Sequence, residues 1–114
     1  MNTVIPKPWG QEEVLHIDDR YLLKRLTMKA GHRCSLQYHR KKNETIYVVH
    51  GSLVVFVGAS GEELEQRVLQ AGEHITIIPG TIHRMEAKDD CVYLEASTPE
   101  MDDVVRLSDD YSRA

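Results

Sequence analysis

The sequence predicts an all-β domain, a two-sheet sandwich or barrel, and three observations carry that prediction. Short runs rich in Val, Ile, Tyr and other strand formers follow one another with apolar and polar positions alternating at period two. Turn signals separate them at close intervals: Ala30-Gly31, Lys42-Asn43, His50-Gly51, Ser60-Gly61, Ala71-Gly72, Pro79-Gly80 and Asp89-Asp90. Apolar residues nowhere keep helical spacing long enough to build a bundle. The chain has 114 residues, one domain's worth, since domains run to roughly 50–200 residues.

Residues 1–20, with Pro6 and Pro8, are expected to form an N-terminal arm or edge strand. The barrel core is assigned to 21–98. Within it the predicted strands are Tyr21–Met28 (YLLKRLTM), Cys34–His39 (CSLQYH), Thr45–Val49 (TIYVV), Leu53–Val57 (LVVFV), His74–Ile78 (HITII) and Cys91–Ala96 (CVYLEA). Gly61–Leu69 has helix-forming composition, but Leu64, Gln66 and Val68 alternate with Glu65, Arg67 and Leu69, which favours an amphipathic strand. The tail, 99–114, is acidic through Asp102, Asp103, Asp109 and Asp110, and room for one short helical turn is expected there.

Asp and Glu total 18 against 14 for Lys and Arg, a formal charge of −4 that gives nucleic acid or anionic lipid no electrostatic footprint. The partner expected is a small molecule or another protein. No apolar run approaches the length of a spanning helix; Leu53–Val57 is the best stretch. Cys34 and Cys91 are too few for a disulfide scaffold and read as reduced thiols. The N-terminal residues lack a basic segment followed by an apolar one, so the expected location is cytoplasmic.

The chemistry concentrates in Gln37-Tyr38-His39 followed by Glu44. On an extended chain positions 37 and 39 share a face, about 7 Å apart. Glu44 opens the next strand after Arg40-Lys41-Lys42-Asn43, and His83, after the Pro79-Gly80 turn, can add a fourth group from a later strand. An amide oxygen, two imidazoles and a carboxylate suit a divalent metal ion, zinc first, with manganese, iron, cobalt or nickel as alternatives.

The stretch Gly31-x5-Gln37-x-His39-x4-Glu44-x6-Gly51 resembles the first motif of the cupin superfamily, with Gln in place of the usual first His. Gly72, Pro79, Gly80 and His83 resemble the second, although Pro79 directly precedes the Gly and Ala87 stands where Asn is usual. Within cupins the chain is similar to the mannose-6-phosphate isomerase domain of the bacterial type II family: Lys7-Pro8-Trp9-Gly10, Leu23-Lys24-Arg25-Leu26, Ser35-Leu36-Gln37-Tyr38-His39, PGTIHRM over 79–85 and DDVVRLSDDYSR over 102–113 match its signatures. The family's usual Arg-Ser-Glu-His-Trp is replaced by Lys42-Asn43-Glu44-Thr45-Ile46. In that family the cupin often follows a sugar-nucleotide transferase domain, which these residues do not contain.

The resemblance implies a cupin barrel (a double-stranded β-helix, or jelly roll) and reversible aldose–ketose conversion of a sugar phosphate. That chemistry needs a Lewis acid, a base near C1 and C2, and cations for phosphate and oxyanion. By the resemblance Gln37, His39, Glu44 and His83 hold the metal, Arg106 contacts phosphate or a developing oxyanion, Lys24 and Lys7 are further substrate cations, and Glu95 is the candidate base if it faces the cavity. A homodimer is expected, since small cupins pair and edge strands need cover. Two other functions stay open: a non-catalytic metal- or sugar-binding module, and another metal-dependent cupin enzyme such as an oxygenase. Arg40-Lys41-Lys42 reads as a solvated turn and Cys34, out of phase with the ligands, as packed away from the metal. Trp9 is expected to pack at the barrel mouth, and His16, His32, His50 and His74 to lie at the surface or in turns.

Overall fold

Alternation sorts the side chains of each strand onto two faces, and the burial pattern records it. In β3 (Leu22–Met28) the residues Leu22, Lys24, Leu26 and Met28 are buried while Arg25 is exposed. In β5 (Glu44–His50) Glu44, Ile46 and Val48 point inward, and in β10 (Cys91–Ser97) Cys91, Tyr93, Glu95 and Ser97 do. The structure, a computed structural model, describes residues 3–113. Among these residues every regular element is a strand. The remaining strands are β1 (Thr3–Lys7), β2 (Gly10–Ile17), β4 (Leu36–Tyr38), β6 (Leu53–Gly58), β7 (Glu65–Leu69), β8 (His74–Ile77), β9 (Ile82–Ala87) and β11 (Val105–Ser108).

They assemble into two antiparallel sheets, one ordered β1-β2-β3-β10-β5-β8 and the other β11-β4-β9-β6-β7. The inner faces meet in a core of Leu26, Met28, Ile46, Val48, Leu53, Val55, Met85 and Tyr93 with their neighbours. Each fully buried aliphatic side chain there contributes about 1.5–3 kcal/mol. The inward rows are not apolar throughout. Val48 and Ile46 lead to Glu44 along β5, Tyr93 leads to Glu95 along β10, and Leu26 leads to Lys24 along β3, so ionisable groups gather toward one end of the space between the sheets. The apolar half supplies the stability that lets the other half carry charge.

Residues 3–17 pair as a hairpin that extends the six-stranded sheet through β2 and β3, with β1 at its edge. The structure differs from the sequence expectations in two places. Ile82–Ala87, absent from the predicted runs, is the strand β9 that carries His83. In the tail, Val105–Ser108 forms β11 against β4 where a helical turn was expected, because Val105 and Arg106 find open pairing positions at Tyr38 and Gln37. Of the ambiguous stretch Gly61–Leu69, Glu65–Leu69 is the strand β7, and 61–64 form the turn that leads into it.

Gly10 explains part of the Lys7-Pro8-Trp9-Gly10 signature. A Cβ at position 10 would stand 1.9 Å from the Thr27 carbonyl oxygen, at a φ of +155°, so any side chain would force β2 and β3 apart. Trp9, just before it, is buried in the core and lines the cavity described next. Among the described residues no helix is long and apolar enough to cross a membrane.

Candidate metal centre

Three strand segments bring three ligand atoms together. His39 follows β4 directly, Glu44 opens β5 and His83 lies on β9; one ligand atom from each falls within 4.8 Å of the others, and all three residues are buried. Glu44 Oε1 is 3.4 Å from His39 Nε2 and 3.3 Å from His83 Nε2. Ligand atoms around a tetrahedral ion at roughly 2.0–2.1 Å stand apart by about that much. The turn Pro79-Gly80 ties two of the segments, since Gly80 N–H donates to the His39 carbonyl at 2.8 Å, and its φ of +84° is one that glycine adopts without strain.

The imidazole tautomers are set by their other nitrogens. His39 Nδ1 is 2.6 Å from the Asp103 carbonyl oxygen and His83 Nδ1 is 2.9 Å from that of Thr81. A carbonyl can only accept, so each Nδ1 carries hydrogen, and in the neutral ring each Nε2 turns a lone pair toward Glu44. His39 Nε2, His83 Nε2 and Glu44 Oε1 are buried without a hydrogen-bond partner. Three buried acceptors facing one another need a cation between them, or protons, to offset desolvation. Burial alone would raise the Glu44 carboxyl; the two imidazoles and Lys42 outweigh it and hold the group well below the usual carboxylate range. Burial opposes a charged His39, but Glu44 prevails and raises it. The donor set therefore fits a divalent ion.

Gln37 lies beside this cluster, paired with His83 across β4 and β9 and with Arg106 across β4 and β11. Its Oε1 accepts from Ser35 Oγ at 2.9 Å. An amide oxygen has a second lone pair left for an ion.

The cluster opens into a cavity of about 460 Å³ whose lining includes every other residue singled out from the sequence: Lys7, Lys24, Glu95 and Arg106. Lys24 Nζ is 3.1 Å and Lys7 Nζ 3.9 Å from the Glu12 carboxylate, so these two cations share one counter-ion. Arg106 makes no ion pair among the described residues, and its Nε is buried without a partner. Glu95 Oε2 lies 2.6 Å from Lys42 Nζ. Burial, and next Glu44, push the Glu95 carboxyl above its usual range, while Lys42 and Lys24 pull it partway back.

The model of the family described as mannose-6-phosphate isomerase C-terminal matches residues 1–109. The chain belongs to that family. The mannose-6-phosphate isomerase C-terminal domain is a cupin, and the expected cupin fold holds here. Mannose-1-phosphate guanylyltransferase ManC of Salmonella typhimurium is 32% identical over 118 residues, covering 99% of this chain and 24% of the relative, so the chain spans about a quarter of the length of the curated relatives it matches. Among solved structures, the capsular polysaccharide assembling protein CapF from Staphylococcus aureus superposes with a TM-score of 0.81 at 20% identity over 95% of this chain and 34% of that one. KdgF from Halomonas sp. superposes with a TM-score of 0.74 at 21% identity over 84% and 85% of the two chains. At such identities these two likenesses establish the fold.

Two side chains that the sequence misplaced line the cavity. Lys42, read as part of a solvated turn, is 4% exposed and lines the cavity, its Nζ 3.4 Å from Glu44 Oε2 as well as against Glu95. Cys34, expected to pack away from the metal, lines the same cavity, because β4 starts only at Leu36 and the alternation does not extend back to it. Its thiol is pushed up to about 11 by burial and stays protonated. Glu12 and Asp103 were also missed, and nothing local in the sequence marks either one.

Proposed function

We propose that this cupin is a divalent-metal-dependent isomerase that interconverts an aldose phosphate and its ketose, mannose 6-phosphate being the first substrate to test. One observation carries the reading: unpartnered, buried ligand atoms of His39, Glu44 and His83 converge, and His39 and Glu44 line a cavity that Arg106 lines too. Lys7, Lys24, Lys42 and Arg106 offset the carboxylates of Glu12, Glu44, Glu95 and Asp102 in the lining. Formal charge there is balanced, and a divalent ion leaves it positive, which suits a phosphorylated sugar.

His39, Glu44 and His83 would hold the ion, with Gln37 as the fourth ligand; zinc fits the nitrogen and oxygen donors first. When bound, the ion supplies a Lewis acid for the charge that develops on the C1 and C2 oxygens. Glu95 takes the C2 proton onto its carboxylate and returns it to C1, a task for which a buried carboxyl with a raised pKa is matched. Lys42 orients that carboxylate. Arg106 binds the phosphate, and Trp9, Leu26 and Met85 on the lining limit water around the reacting carbons.

Proton NMR in D2O with the zinc-loaded chain tests the activity. Ketose should appear with solvent deuterium at C1, and aldose re-formed from it should carry deuterium at C2; Arg106→Ala should lower kcat/KM by about 10- to 100-fold, the loss of one charge-assisted phosphate contact. Binding without exchange would make the chain a sugar-binding module instead, and oxygen uptake by the iron-loaded chain would make it an oxygenase. The homodimer stays part of this reading. Tyr47 and Val49, 44% and 47% exposed, share the outer face of β5 with Leu94 opposite Tyr47, an apolar surface that a second copy would cover. Sedimentation equilibrium should give twice the chain mass; a monomer mass discards the dimer.

A further inference from the structure

We propose, resting on the metal reading above, that Asp103 is a positioning residue of the metal centre: it fastens the tail to the loop between two ligands, so metal affinity depends on the tail being docked. The Asp103 carboxylate accepts three successive backbone N–H groups, from Arg40 at 3.1 Å, Lys41 at 2.7 Å and Lys42 at 2.9 Å. The carbonyl of the same residue takes the Nδ1–H of His39 at 2.6 Å. One residue of the tail thus holds the ring of one ligand and three of the four residues that lead to the next.

Residues 40–43 must turn the chain from His39 to Glu44, and three of the four are basic. Such a run repels itself. An anion seated among successive amide N–H groups neutralises it and fixes the turn. Asn43 is held separately, its N–H donating to Thr98 Oγ1 at 3.0 Å. With the loop fixed, His39 Nε2 and Glu44 Oε1 stand 3.4 Å apart and Lys42 points into the cavity rather than to solvent. Asp103 is itself held from the strand that follows, where Val105 and Arg106 pair with Tyr38 and Gln37. The same short segment therefore orients a ligand, shapes the ligand loop and supplies the arginine of the cavity.

The test is the affinity of the full chain for Zn2+ and Co2+, measured by competition with a chromophoric chelator, which needs no catalysis. Asp103→Ala should weaken binding about 10- to 100-fold, as expected for loss of a partner that orients metal ligands. Both variants keep the backbone carbonyl that takes His39; Asp103→Asn also keeps one side-chain acceptor for the loop amides and should weaken binding less, by threefold or more. Asp110→Asn is the control: it breaks another carboxylate anchor of the tail, the Asp110 pair with Arg33 at 2.6 Å, without touching the ligand loop, and should bind within twofold of wild type. Backbone amides of 40–42 should exchange faster in Asp103→Ala only. Wild-type affinity in both Asp103 variants, or equal losses in Asp103→Asn and Asp110→Asn, overturns the proposal. Should Asp103→Ala fail to fold, Asp103→Asn decides alone. A wild-type chain that binds neither ion overturns the metal reading and this proposal together.

Discussion

The His39→Ala/His83→Ala chain should carry no divalent ion after dialysis under conditions that leave wild type close to one ion per chain. Removing both imidazoles leaves Glu44 as the only member of the buried trio, and one carboxylate with an amide oxygen beside it cannot replace the hydration shell of a first-row divalent ion. The difference should also appear in stability. An ion that binds only the folded chain adds about 2.7 kcal/mol when its free concentration is a hundredfold above Kd. For a domain near this size that is roughly a 10 °C rise in melting temperature or more. Wild type should show the rise on titration with Zn2+ and lose it in chelator, whereas the variant should show neither. Atomic emission on both dialysed proteins reads the stoichiometry directly; equal, substoichiometric metal in the two would remove the metal from every step proposed here.

That double variant can be chosen from sequence because the ligands sit where local rules apply. His39 and Glu44 lie on opposite sides of a single polar turn, and β-strand alternation fixes their faces. His83 was legible through the Pro79-Gly80 turn before it and its place with Gly72 in the second motif, not through its strand. Its strand, IHRMEA, interrupts the apolar pattern with Arg84 and Glu86, and Arg84 is buried because its guanidinium donates to the Cys34 carbonyl at 3.0 and 3.1 Å. Strand β11 was hidden for another reason: Val105-Arg106-Leu107-Ser108 alternates, but four residues beside acidic pairs are too short a run to stand out, and their order comes from an open edge supplied by β4. Lys42 marks the limit more sharply. Nothing in Arg40-Lys41-Lys42-Asn43 distinguishes the third basic residue from the first two, and 40 and 41 are in fact exposed. Its burial is decided by Asp103, 61 positions away, and by Glu95, which reaches it from β10. Local pattern reads a side chain's face on a strand; which loop residue turns inward is settled by partners from elsewhere in the chain.

Lys42→Met should be the most destabilising single change in the cavity, costing about 3–5 kcal/mol. The ammonium lies 2.6 Å from Glu95 and 3.4 Å from Glu44, and its loss leaves two buried carboxylates facing each other with their shared cation gone. Methionine fills much of the same volume, so the loss comes from charge more than from packing. Glu95→Gln alone should cost less, since Lys42 keeps Glu44. The Lys42→Met/Glu95→Gln chain should then be more stable than the two single losses summed, by about 1–3 kcal/mol, the coupling expected of groups in direct contact. Denaturant melts of the four proteins close this cycle, and strict additivity would mean that the ion pair is not formed in solution. The pH dependence has a definite sign. Burial and Glu44 already raise the Glu95 carboxyl, and Lys42 is among the groups restraining it, so Lys42→Met raises it further. A carboxyl raised in the folded state loses stability as pH rises through its folded value, so the gap between wild type and Lys42→Met should narrow as pH falls. For the proton transfer the same shift acts the other way: Glu95 must be ionised to take the C2 proton, so the acidic limb of the pH–rate profile should move to higher pH in Lys42→Met, with part of the lost rate recovered on the alkaline side.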